Sequence, residues 1–157
     1  MREGIVYLSP TGCQPLNPQN PHTMTLDVYL NFPDGRCEEA LKFYAEILGG
    51  DIVSMQRFGE GPMEVPEGAQ NHVMHAEFKA GEVFFLASDT MPGQPIVRGN
   101  NMSLTISMDN EAEQKKAFDA LAEGGTVTMP LEKTFWGAYF GMLTDKFGIN
   151  WMLSSAA

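Results

Sequence analysis

Cysteine is almost missing from these 157 residues: Cys13 and Cys37 stand apart, without CxxC spacing or a nearby histidine group. That excludes a disulfide framework and a zinc knuckle, and leaves room for one bridge at most. Basic residues are scarce too, ten Lys plus Arg against twenty Asp plus Glu, for a net charge of −10. Binding to phosphate backbones is driven by clustered Lys and Arg releasing counterions, so nucleic acid is excluded as a partner. The acidic balance keeps a surface soluble and favours a cationic ligand over an anionic one. No stretch approaches the roughly 20 apolar residues of a membrane span, and the run from Gly4 to Leu8 is too short for a signal-peptide core. The chain reads as cytoplasmic, with no membrane partner.

What is present is enough for one hydrophobic core, with 43% apolar residues. Residues 1–24 carry Pro10, Pro15, Pro18 and Pro21 among Asn, Gln and Thr, a composition that loses backbone donors and reads as an extension. From Thr25 the pattern changes into a single domain over 25–157. Leu26, Val28, Leu30 and Phe32 alternate with Asp27, Tyr29 and Asn31, which predicts a strand with one buried face. Cys37 to Leu48 has apolar residues at helical spacing, and Gly49-Gly50 ends it. Asp51 to Phe58 reads as a strand, 59–70 as a long loop, and Val73 to Phe78 with Val83 to Ala87 as a hairpin.

The order then repeats. Met102, Leu104, Ile106 and Met108 alternate with Ser103, Thr105 and Ser107, and Asn110 three residues before Glu113 predicts a capped helix that Gly124-Gly125 stops. Sliding one half on the other superposes Phe43 on Phe118, Ala45 on Ala120, and Gly49-Gly50 on Gly124-Gly125. The stretch Gly81 to Leu86 likewise matches Gly148 to Leu153. Each half reads β-α-β-β-β, as modules of about 25–89 and 100–157 in an α+β fold.

This duplicated order resembles the vicinal-oxygen-chelate (glyoxalase/bleomycin resistance/dioxygenase) superfamily. Three stretches narrow the resemblance to its PhnB-like branch: Tyr29 to Phe32 before Cys37 to Ala40, Phe43-Tyr44 running into Gly49-Gly50, and Phe135 to Gly141 leading to Asp145 to Trp151. The resemblance implies two βαβββ modules forming a cleft, and a homodimer. It also implies where a divalent ion would sit, on side chains of the first and last strands of each module. Carried over, those positions fall near Asp27 and Ser103 and on Phe85 and Met152, of which only Asp27 is a good ligand. No metal and no other cofactor is expected. A methyltransferase reading is set aside, because no glycine-rich nucleotide fingerprint follows a strand.

Asp27, Tyr29 and Asn31 share one strand face, which the resemblance turns toward the cleft; Ser103, Thr105 and Ser107 are their counterparts. His75 is the candidate acid or base, since imidazole titrates nearest neutral pH, with Val73 and Glu77 expected on its face. His72 and His22 are weaker candidates, and Arg57 and Arg98 read as isolated cations near loops. Trp136, Tyr139, Phe140 and Trp151 crowd the second half beside Gly137 and Gly141, which would admit a neighbouring backbone or a flat ligand. Phe85 and Met152 are expected to form an apolar floor. The expected ligand contacts are thus Asp27, Tyr29, Asn31, His75, Phe85, Ser103, Thr105, Trp136 and Met152. The expected activity is metal-independent binding of an unidentified small molecule. The alternative is lyase, isomerase or dioxygenase-type chemistry, either metal-free with His75 or Asp27 as base or metal-dependent through ligands that the carried-over positions miss.

Overall fold

Alternating residues become a strand only where a neighbouring strand takes their backbone hydrogen bonds. Of the alternating stretch after Thr25, only Tyr29–Phe32 (β1) pairs, in parallel with 86–89. Leu30 and Phe32 are accordingly buried, whereas Leu26 is 99% exposed and Asp27 lies before the strand. The expected strand was therefore too long at its start, and Met102, before the second module's first strand, is exposed in the same way.

The computed structural model describes residues 25–62 and 64–155, so the proline-rich arm with Cys13 and His22 lies outside the described residues. After β1 come α1 (Cys37–Leu48), β2 (Asp51–Arg57), a 3-10 turn (Phe58–Glu60), β3 (Val73–Ala80) and β4 (Val83–Asp89). The second module has β5 (Leu104–Met108), α2 (Glu111–Ala122), β6 (Thr126–Lys133), β7 (Tyr139–Thr144) and β8 (Asn150–Ser155). The sheets are ordered β1-β4-β3-β2 and β5-β8-β7-β6, each with one parallel pair and two antiparallel ones. This is the expected α+β architecture of two βαβββ modules.

Local chemistry sets the helix ends. Asn110 Oδ1 accepts from Ala112 N and Glu113 N at 2.9 and 3.1 Å, the cap expected of it. At the other helix Arg36 offers no side-chain cap, and the Asp89 carboxylate takes its place by accepting from Cys37 N at 2.8 Å. Gly49 closes α1 in the left-handed conformation, its N–H donating to Ala45 O.

The modules meet through the sides of the sheets that carry the helices. Tyr44, fully buried on α1, sets its ring edge-on to Phe85, Phe147 and Trp151, one ring from its own module and two from the other. Its hydroxyl donates to Asp145 Oδ2 at 2.6 Å. Asp145 also accepts from Trp151 Nε1 at 2.8 Å, Phe147 N at 2.9 Å and Ile149 N at 3.0 Å. A buried carboxylate with four donors is fully satisfied, so this contact joins the modules without an orphaned charge. The opposite sides of both sheets are left open.

Candidate functional site

On β1 the period of two that buries Leu30 and Phe32 sends Tyr29 and Asn31 to the open side of the first sheet. Tyr29 is opposite Leu86 and Asn31 opposite Ser88 on β4, while Glu77 of β3 is opposite Leu86 from the other flank. His75 shares the Glu77 face. Tyr29 Oη lies 3.1 Å from His75 Nδ1, and His75 Nε2 lies 3.9 Å from Glu77 Oε1. Beside them the Ser88 hydroxyl donates to Asn31 Oδ1 at 3.3 Å. Tyr29, Asn31 and His75 are thus brought together, and Glu77 joins them.

Val73 does not share this face. The β2 register breaks between Gln56, opposite His75, and Arg57, opposite Val73, so Met74 is the extra residue of a bulge. Val73 turns into the core, and its N–H donates to Asp89 Oδ2 at 2.7 Å.

The second sheet's open side carries Thr105 and Ser107 of β5, Met152 and Ser154 of β8, and Phe140 and Met142 of β7. Trp136, 52% exposed on the β6–β7 hairpin, tilts toward Phe140 at 6.4 Å between centroids. The aromatics of this half therefore divide: Trp151 is core and Trp136 is surface. Gly141 serves packing, since a Cβ there would lie 2.7 Å from the Phe118 ring.

Phe85 is not on the open floor. It is 2% exposed and stacks on Phe78 at 4.7 Å within the core, and only its flank reaches a hollow between the modules. The β3–β4 hairpin turns on Gly81-Glu82, while the β7–β8 hairpin spans 145–149. That difference slips the alignment by one residue, and one residue on a strand reverses the face. Leu86, opposite Tyr29, is the counterpart of Met152, opposite Thr105.

With that slip, the positions that the resemblance assigns to a divalent ion become Asp27, Ser103, Leu86 and Met152. One carboxylate, one hydroxyl, one hydrocarbon and one thioether do not fit a hard or borderline divalent cation. Among the described residues no three His, Cys, Asp or Glu side chains gather as metal ligands would.

A hollow of 520 Å³ lies where the modules meet, lined among others by Val28, Phe84, Ser103, Thr105 and Ser107. A larger one of 860 Å³ lies on the outer face of α2 around Lys115 and Asp119; of the aromatics singled out above only Tyr139 borders it, and none of the expected ligand contacts does. Arg57 is not isolated: it donates to Glu38 Oε2 at 2.8 Å and to Asn71 O at 2.7 Å. The Arg57 hydrogen bond, with that of Lys42, holds the Glu38 carboxyl below the usual range. Arg98 packs its guanidinium beside Gly148. The partly buried His72 packs against Gly35, whose positive φ of 72° and lack of Cβ make room for the ring. Burial pushes the Cys37 thiol well above its ordinary range, so it is a core residue and not a nucleophile.

Asp89 and Asp145 are the buried carboxylates among the described residues, and the residue pattern pointed to a role for neither. Each lies just outside or at the end of a strand, where Asp is ordinary, and their partners are distant in sequence.

The comparisons agree with this fold. Residues 25–154 match the family model described as 3-demethylubiquinone-9 3-methyltransferase. Protein YjdN of Escherichia coli K12 is 32% identical over 143 residues, covering 83% of this chain and 95% of that protein. The crystal structure of PA1353 from Pseudomonas aeruginosa superposes with a TM-score of 0.72 at 39% identity, covering 83% of this chain and 98% of that one. The PhnB protein from Bacillus cereus gives 0.72 at 31%, covering 85% and 100%. A glyoxalase/bleomycin resistance protein from Albidiferax ferrireducens, at 18% identity and a TM-score of 0.53, shares the fold alone. The fold is that of the glyoxalase/bleomycin resistance superfamily. The chain belongs to its PhnB-like family, the one whose model carries the methyltransferase description.

Proposed function

We propose that the protein binds a small, partly apolar molecule, uncharged or cationic, on the open sheet faces, without the superfamily's divalent ion, and that it acts as a cytoplasmic homodimer. The observation that carries this reading is the donor set: Leu86 and Met152 stand where carboxylates are needed, beside the polar group Tyr29, His75 and Glu77. A site with apolar walls and a few convergent polar groups suits a small organic ligand. The net charge of −10 and Glu77 favour a cation over an anion. The dimer is supported by Val53, Met129 and Trp136, which leave apolar surface exposed on or beside these faces. No described helix is long and apolar enough to cross a membrane.

Elemental mass spectrometry on protein purified without chelator, then dialysed against Zn, Ni, Mn and Fe(II), tests the metal. The expected result is no retained ion. Near-stoichiometric metal in the wild type that is lost in Asp27→Ala or His75→Ala would overturn the reading. A thermal-shift screen of cationic and aromatic small molecules tests binding, since a ligand at a hundred times its Kd adds about 2.7 kcal/mol of stability. For the dimer, sedimentation should give a mass that doubles as concentration rises; a constant monomer mass up to the highest concentration would rule it out.

A further inference from the structure

We propose that Tyr29, His75 and Glu77 form a proton relay, with the Tyr29 phenol oxygen as its acid–base group, acting on an uncharged or cationic carbonyl compound with an acidic C–H beside the carbonyl. The inference rests on the open-face site proposed above and gives that site a reaction. Tyr29 Oη and His75 Nδ1 are 3.1 Å apart, and His75 Nε2 faces Glu77 Oε1 at 3.9 Å. One tautomer serves both contacts: Nε2 carries its hydrogen toward the carboxylate, and Nδ1 presents its lone pair to the phenol hydrogen. Nδ1 thereby engages the phenol hydrogen, Glu77 at 3.9 Å is near enough to pair with the ring once it is protonated but not to hydrogen-bond it, and the phenol oxygen is left to meet a substrate. Tyr29 is 43% exposed, so it is within reach.

The sheet builds this geometry. Glu77 and His75, two residues apart on β3, share one face. Tyr29 reaches over the intervening β4, where Leu86 lies opposite it, to bring its ring 5.8 Å from the imidazole. As the phenol oxygen takes a proton from the substrate carbon, the phenol's own hydrogen passes to Nδ1. Glu77 stabilises the resulting imidazolium. The electron pair of the broken C–H bond stays on the substrate as an enolate, so nothing is oxidised or reduced. The proton returns by the same path, to the same or a neighbouring carbon, which makes the reaction an isomerisation or a proton exchange. Asn31 accepts from the Ser88 hydroxyl through its oxygen, and its amide N–H groups, without a partner among the described residues, would serve the enolate oxygen.

Two measurements on the full chain decide it. An aryl sulfonyl fluoride labels a phenol when the oxygen attacks sulfur, fluoride leaves and the phenol hydrogen goes to a base, so no ligand need be known. Peptide mapping should show Tyr29 labelled at least tenfold faster than Tyr139, with that advantage lost in His75→Gln and reduced in Glu77→Gln. These side chains are partly exposed, and an unchanged urea midpoint will show that the fold is kept. Equal labelling of Tyr29 in wild type and His75→Gln, or no advantage over Tyr139, overturns the relay. The second measurement follows deuterium wash-in by NMR on hydroxyacetone, acetoin and aminoacetone in D₂O. Exchange at least tenfold faster than in Tyr29→Phe is expected for one or more of them, and equal exchange for all three overturns the substrate class. Labelling uses no ligand and exchange reads chemistry, so either failure is distinguishable from a failure of the binding and metal tests.

Discussion

Asp145→Ala should lower the free energy of unfolding by about 4 kcal/mol in urea denaturation, because it orphans the Tyr44 hydroxyl, the Trp151 indole N–H and the Phe147 and Ile149 amides together. Each buried donor left unpaired costs roughly 1–3 kcal/mol, and the loss stays below the sum because some donors will reach water. Tyr44→Phe removes only one of the four donors and should cost about 2 kcal/mol, the worth of a hydrogen bond to a charged acceptor. A surface comparison calibrates these values. Lys115 and Asp119 approach to 2.6 Å on α2, but both are more than half exposed, so Lys115→Ala should cost less than about 0.5 kcal/mol. A loss under about 1 kcal/mol in Asp145→Ala would mean that the aromatic packing around Tyr44 joins the modules without help from the carboxylate.

The second large effect is at Asp89, which accepts from Cys37 N and Val73 N and so ties the start of α1 to the start of β3. Asp89→Ala leaves both amides without acceptors and should cost about 3 kcal/mol at neutral pH. The carboxylate also makes stability depend on pH, with a definite sign. Burial raises its pKa above the ordinary value of 3.8, outweighing the two backbone hydrogen bonds, which lower it. A raised folded-state pKa contributes stability that is full below the unfolded value and is lost as pH rises through the folded one. Glu38 and Glu39, held low by their bonds to Arg57 and Arg36, act in the opposite sense below 4.5. The difference in stability between wild type and Asp89→Asn isolates the buried carboxylate. It should shift against the wild type as pH climbs from about 4 toward neutrality. A difference that is flat, or that moves the other way, would contradict the burial argument.

How far the sequence could be read depended on whether the relevant interaction was local. The helix over Cys37–Leu48 was legible to both ends, since apolar spacing and the Gly49 stop lie within it. Tyr29 and Asn31 were legible as one face for the same reason, and His75 with Glu77 as another. That these two faces are the same surface was not legible, because it follows from β4 lying between β1 and β3. Val73 and Phe85 were assigned to the wrong faces. A bulge at Met74 reverses the first, and a difference in hairpin length shifts the second by one residue.

The amino-acid sequence by itself determined the composition limits, the duplicated βαβββ order, the Asn110 cap of α2 and the Gly49 stop of α1. These depend on residue chemistry and on spacings of two to four positions. Tertiary structure alone decided that the Tyr29 phenol meets the His75 imidazole, that Leu86 stands opposite Tyr29, and that Asp89 and Asp145 are the buried carboxylates. Cys37 lies 52 positions from Asp89, and Tyr44 lies 101 from Asp145. Pattern carries no register across such separations; strand pairing and core packing set it when the chain closes on itself.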